Sequence, residues 1–291
     1  MSLRLQILAI FLVPVAVIGA LYAFGLTIPI PHLGRDYVIR LALPQTAQPV
    51  DLPEVLGPPD RTRPLVVIDA GHGGKDPGAS VEGLREKDIV LGLAKSLRDR
   101  LVEEGGIRVA LTRDDDTYLI LEERPQIARR LDADLFISIH ADSAGDQLGV
   151  RGASIYTLSN EASSEAAARF AARENRAGLG VNGVVLDAQN EAVNTILVEL
   201  SQRRTQEASA EFASLITREG EGVLSFHPQP RRSAALAVLR APDVPGVLYE
   251  SGFVTNPEDA ERLTSDEGRA QFAETMARAI RIYFARQADL P

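Results

Sequence analysis

From Leu65 onward the chain alternates short apolar runs with longer segments whose apolar residues recur every three or four positions, and few architectures accept that rhythm. The runs Leu65–Asp69, Arg108–Thr112, Leu135–His140, Ala153–Leu158, Ala235–Leu239 and Val247–Glu250 read as strands. Between the first two, Val90, Leu93, Ala94, Leu97 and Leu101 predict a helix over Asp88–Glu104 with one buried stripe. Leu121–Leu131, Glu165–Asn175, Val193–Arg218 and Asp266–Gln287 read as further helices, with a Gly-rich, poorly patterned excursion at Arg176–Asn190. Strands that alternate with helices predict a single α/β domain over residues 65–291, built on a mostly parallel sheet flanked by helices on both faces.

The residues ahead of this domain bear on location. Leu5–Thr27 carries no ionisable side chain other than Tyr22, which is long enough to enter a membrane. Residues 1–27 read as a signal anchor or signal peptide. Pro14 and the lack of a small-x-small site after Ala20 or Ala23 favour the anchor. Residues 28–64 are Pro-rich and read as a linker or stalk. The expected location is therefore the periplasm or cell envelope, with the inner membrane as a partner through residues 5–27. Cysteine is absent, which suits an oxidising compartment and leaves His, Asp and Glu as the only strong metal ligands. A net charge of −9 and the lack of a basic stripe exclude nucleic acid as an expected partner.

Four polar residues stand just past apolar strands or at a helix start, where sheet enzymes keep their chemistry. His72 lies in VVIDAGHGGKDPGAS, Glu86 opens EKDIVLGLAKSLRDRL, His140 ends ADLFISIHADS, and Glu250 ends the strand in VLYESGFVTNPEDAERL. Each has a bland reading: a lone His after a strand is commonly a hydrogen-bonded core residue, and Glu86 would suit a helix dipole without any ligand. Together, two imidazoles and a carboxylate make a zinc set that leaves a position open for water. Of the other histidines, His32 falls in the linker, and His227 in LSFHPQPRR reads as a loop residue, either a substrate contact or plain surface. Asp142 serves equally as support for a ligand or as a turn cap, and Asp69 and Asp76 read as turn and scaffold residues.

The GHGG turn, the EKD helix start, the SIHAD strand end and the ESGFVTNPED turn, in this order, resemble the zinc-dependent N-acetylmuramoyl-L-alanine amidases of the amidase-3 family, of the AmiC/LytC type. The resemblance runs from about Leu65 to Phe284. It implies a twisted six-stranded sheet, Zn2+ held by His72, Glu86 and His140, and Glu250 as the catalytic carboxylate. It implies a peptidoglycan substrate, cut between N-acetylmuramic acid and L-alanine during wall remodelling and daughter-cell separation. Residues 160–201 resemble the regulatory insertion of division amidases, which a protein activator at the division site displaces. On that reading Glu165 is the candidate autoinhibitory ligand and Glu174 the alternative; a structural αα-hairpin is the other reading. Two further functions stay open on the residues alone: a zinc carboxypeptidase or endopeptidase acting on the stem peptide, and a catalytically silent peptidoglycan-binding regulator.

Overall fold

In a computed structural model the chain is described over residues 52–177 and 191–288, with backbone alone at 177 and 191–201. The apolar segment Leu5–Thr27, His32, most of the Pro-rich stretch and the bulk of the Arg176–Asn190 excursion lie outside the described residues. No helix among the described residues is long and apolar enough to cross a membrane.

The apolar runs assemble into one six-stranded sheet. Strands β1 (Leu65–Ala70), β4 (Arg108–Leu111), β5 (Leu135–Asp142), β6 (Ala153–Leu158), β7 (Phe226–Ala234) and β8 (Gly246–Phe253) lie in the order β4-β1-β5-β8-β6-β7. All neighbours are parallel except β6 and β8, whose pairing sets Ser154 opposite Glu250 and Tyr156 opposite Leu248. A two-stranded hairpin, β2 (Ser80–Val81) with β3 (Leu84–Arg85), leads directly into helix α1 (Glu86–Glu104).

Helices cover both faces, because β1, β5 and β8 are buried on both sides and expose almost nothing to water. One core joins α1, α4 (Glu191–Glu219) and α6 (Asp266–Ala288) to the sheet through Val90, Leu97, Phe212, Ile216, Phe272 and Ile280. The opposite core holds α2 (Glu123–Arg130), α3 (Glu165–Ala177) and a 3₁₀ turn at Ala237–Leu239, through Ile127, Phe170, Ala171 and Val238.

Three departures from the sequence reading have local causes. The fifth strand is Phe226–Ala234, and Ala235–Leu239 closes in the 3₁₀ turn instead. Phe226–Ala234 carries Pro228, Pro230, Arg231 and Arg232, a composition only an edge strand accepts, since proline cannot donate to a ladder. Helix α5 (Pro257–Thr264) occupies what reads as a turn; the Asn256 side chain accepts from the Asp259 N–H and Pro257 stands at its first position. Ordered structure also begins before Leu65: Leu56 exchanges two backbone hydrogen bonds of 2.8 and 2.9 Å with Val109 on β4, and Arg108 donates to the carbonyls of Arg61 and Arg63.

Candidate active site

Because β1, β5 and β8 run parallel and adjacent, their carboxyl ends open on one rim of the sheet. His72 lies two residues past β1, in the left-handed region at φ 59°, a conformation few non-glycine residues adopt. His140 is near the end of β5, in register with Glu250 on β8. Glu86 is the first residue of α1. Two glycines make room for this convergence. A Cβ on Gly71 would stand 2.5 Å from the His140 ring, and one on Gly78, itself at φ +65°, would stand 2.5 Å from a Glu86 oxygen.

The four side chains are buried and close together. Glu86 Oε1 lies 3.1 Å from His72 Nε2 and 3.1 Å from His140 Nδ1, while the N–H groups of Ala141 and Ala79 donate to its two oxygens. His72 Nδ1 meets Asp76 Oδ2 at 2.8 Å, which fixes the ring and leaves Nε2 buried without a hydrogen bond of its own. A fourth donor comes from α3: Glu174 Oε2 is 3.6 Å from His140 Nδ1 and 4.0 Å from His72 Nε2. One atom each from His72, His140 and Glu174 fall within 4.8 Å of one another, a group that could hold a metal ion.

The donor set fits such an ion. Tetrahedral N/O bonds of ~2.0–2.1 Å space their donors about 3.3 Å apart, close to the separations here. The electrostatics point the same way. Burial alone would lower the His72 pKa, yet Glu86, Asp76 and Glu174 push it up to about 10, so the site holds positive charge firmly. Glu86 is driven below the usual carboxylate range although burial opposes it, chiefly by His72 and then His140. A metal ion entering this cluster would replace the proton on His72.

Glu250 differs from its neighbours. Its Oε2 is buried with no hydrogen-bond partner among the described residues. Burial, and then Asp142, Glu86 and Glu174, hold its carboxyl well above the ordinary value, with Arg173 opposing. It is an acidic group beside the histidine cluster with one oxygen left unmatched among the described residues, the condition of a carboxylate free to move a proton.

Beneath the turn lies a scaffold that the sequence only half discloses. Asp69 is fully buried and accepts from Thr112 Oγ1, Ser138 Oγ and Arg124 Nη1. Arg124 and Arg113, also buried, donate to the carbonyls of Ala70, Gly71 and His72 and so fix the backbone that carries the first ligand. Burial would raise the Asp69 pKa, but Arg124 and the two hydroxyls bring it below 3.8. A carboxyl whose pKa falls on folding stabilises the fold fully above its unfolded value, and that stabilisation is lost as pH falls through the folded value. Asp69→Asn should destabilise the protein by about 3–5 kcal/mol at neutral pH, because Arg124 is left buried without its charge partner. The loss should shrink in acid, and denaturant unfolding at pH 7 and pH 3 checks both expectations.

Helix α3 corrects one assignment. The Glu165 side chain is 84% exposed and pairs with Arg169, while Glu174 faces the histidines. Nine residues are two and a half helical turns, so the two glutamates lie on opposite sides of α3. Arg173 bridges Glu174 Oε1 and Asp142 Oδ1, and the Asn175 side chain ties α3 to Ala235 and Ala237. Asp142 thus engages α3 and its own turn at Ser143, not a histidine. Asp76, read as a turn residue, also orients His72. His227 lies on edge strand β7 and lines a cavity that reaches Glu250.

Comparison with known proteins gives the same picture. Residues 66–281 match the family model described as N-acetylmuramoyl-L-alanine amidase, Amidase_3. The chain is 38% identical to the amidase AmiA of Escherichia coli over 76% of each chain. It is 36% identical to the amidase AmiC of Neisseria meningitidis over 76% of this chain, and spans about half, 53%, of that longer relative. Among solved structures, the amidase AmiC2 of Nostoc punctiforme aligns with a TM-score of 0.54 at 31% identity, over 77% of this chain and 98% of that one. With a buried His–His–Glu cluster on the sheet rim and this match along three quarters of its length, the chain belongs to the Amidase_3 family of N-acetylmuramoyl-L-alanine amidases.

Proposed function

We propose that the protein is a zinc-dependent peptidoglycan amidase that cleaves the bond between N-acetylmuramic acid and the L-alanine of the stem peptide. The observation that carries this reading is the position of Glu250, with no hydrogen-bond partner at Oε2 among the described residues and paired in register with His140, beside a histidine–carboxylate cluster that could hold a metal ion. His72, His140 and Glu86 would hold the zinc ion, which when bound acidifies a water and polarises the amide carbonyl. Glu250 takes the proton of the attacking water and returns it to the departing nitrogen, since an amine leaves only when protonated. Asp76 keeps the His72 proton on Nδ1, so that Nε2 faces the site as a lone pair.

The resting site is closed by α3. Glu174 Oε2 stands 3.6 Å from His140 Nδ1, where it would compete with the attacking water for a bound ion, and Arg173 latches the helix to Asp142. The latch is reversible, because Arg173 is half exposed and its pairs are open to water and salt. A protein activator at the division site, or the substrate itself, opens it by binding the displaced helix more tightly than the docked one. The apolar segment Leu5–Thr27 fits export to the cell envelope with retention at the inner membrane.

Incubation of the full chain, opened by Glu174→Ala, with purified sacculi should release free stem peptides that begin with L-alanine. A chelator should stop the release, and added zinc should restore it. His140→Ala should lose both the bound metal and the activity. Shortened muropeptides still joined to sugar would identify a carboxypeptidase or endopeptidase instead, and no release from the open form would identify a silent binder.

A further inference from the structure

A cavity of about 630 Å³ opens beside Glu250, between α3 and the strands β6 and β7, and the proposed reaction leaves its polar side chains on β6 and β7 without a role. On the sheet side it is lined by Glu250, Ser154, Tyr156, Arg232 and His227. Register explains why these gather. Glu250 is opposite Ser154, Ser154 and Tyr156 share a face of β6, and Tyr156 is opposite Arg232. The Ser154 side chain is 3% exposed, and its Oγ has no hydrogen-bond partner among the described residues, so the floor of the cavity presents an unmatched polar atom.

The guanidinium of Arg232 is held entirely by neutral groups. It donates to the Gln229 carbonyl at 3.1 Å, to the Tyr156 hydroxyl at 3.3 Å and to His227 Nδ1 at 2.9 Å. The Gln229 N–H also donates to that Nδ1, and Arg232 Nη2 lies 3.1 Å from Nε2 as well, so the imidazole packs against the guanidinium through both ring nitrogens. Burial, and then Arg232 itself, push the His227 pKa down, and burial pushes the Tyr156 phenol up to about 12, so neither neighbour compensates the charge. The other arginines of the cavity are all on α3 and are already engaged, Arg173 by Asp142 and Glu174, Arg169 by Glu165, and Arg176 by a carbonyl of its own helix. No carboxylate among the described residues stands within ion-pairing distance of Arg232, and its Nη1, with the Tyr156 hydroxyl as its one hydrogen-bond partner among them, keeps an N–H donor uncommitted.

Resting on the amidase reading, we propose that Arg232 binds a carboxylate of the stem peptide, with Tyr156 and His227 as positioning residues that hold its guanidinium in place. The distance fits an acidic residue close to the scissile bond. Two strand spacings of ~4.8 Å and a two-residue step of ~6.6 Å put the Glu250 and Arg232 backbones about 12 Å apart. An extended peptide advances ~3.3–3.6 Å per residue. With the reach of the two side chains, the carboxylate falls one or two residues beyond the amide that is cut.

The test uses the zinc-loaded full chain carrying Glu174→Ala, so that access is equal for both substrates. One substrate is N-acetylmuramoyl-L-alanyl-D-glutamate, and the other is the same compound with both glutamyl carboxylates converted to amides. The carboxylate form should have a KM lower by about 10–100-fold, the size expected for a charge-assisted pair. Adding Arg232→Gln should bring the KM ratio near one, and Arg232→Lys should restore part of the preference, which a merely structural role would not do. Equal KM values before Arg232 is changed, or a preference that survives Arg232→Gln, would overturn the inference and leave the amidase reading standing. Hydrolysis of neither substrate would overturn that reading and the inference with it.

Discussion

Glu250→Gln should keep its full complement of zinc and lose about 10²–10⁴-fold in stem-peptide release, the usual effect of removing a general acid–base group. The amide has the shape of the carboxyl it replaces, and Oε2 makes no hydrogen bond that the swap would break. Folding and metal binding are therefore spared, and only the capacity to accept and return a proton is lost. Metal analysis after dialysis separates this outcome from ligand loss, and thermal melting separates it from misfolding. Release at a near wild-type rate would remove Glu250 from the reaction.

Glu174→Ala should act in the opposite direction, raising basal release of dyed peptidoglycan by the isolated protein by roughly 100-fold. If the docked position of α3 is favoured by ~3 kcal/mol, the open form is held near 1%, so removing the carboxylate that faces the two histidines would expose most of the hidden activity. Glu165→Ala is the matched control on the same helix. Its side chain points to solvent and pairs only with Arg169, so basal release should not change. Equal rates for both variants, in folded and zinc-loaded protein, would reduce α3 to a structural helix.

The two glutamates also show where sequence reading reaches its limit. The phase of α3 was available: Ala167, Phe170 and Ala171 are buried at spacings of three and four, and Glu174 continues that stripe while Glu165 stands outside it. Glu165 stood first and Glu174 second as candidate ligands, whereas the periodicity of the helix favours Glu174. The residues at the sheet rim were legible because an apolar run that ends in His or Glu has few bland explanations when several such runs coincide. Arg113 and Arg124 were not, since an arginine in a polar loop or on a short amphipathic helix looks solvent-facing until its buried carbonyl partners are known. Strand β7 failed for another reason, as its two prolines and five polar side chains carry no alternating pattern.

Those prolines matter for how many copies can work side by side. A sheet of six strands exposes two flanks, and an unpaired flank is a template onto which a second molecule can add its own strand. Here one flank, β4, is capped by the exchange between Leu56 and Val109, and the other, β7, is interrupted by Pro228 and Pro230 and repelled by the charges of Arg231 and Arg232. Neither offers a continuous ladder. Edge-to-edge pairing between copies is thus disfavoured, and replacing the two prolines would make the β7 flank a better template for it.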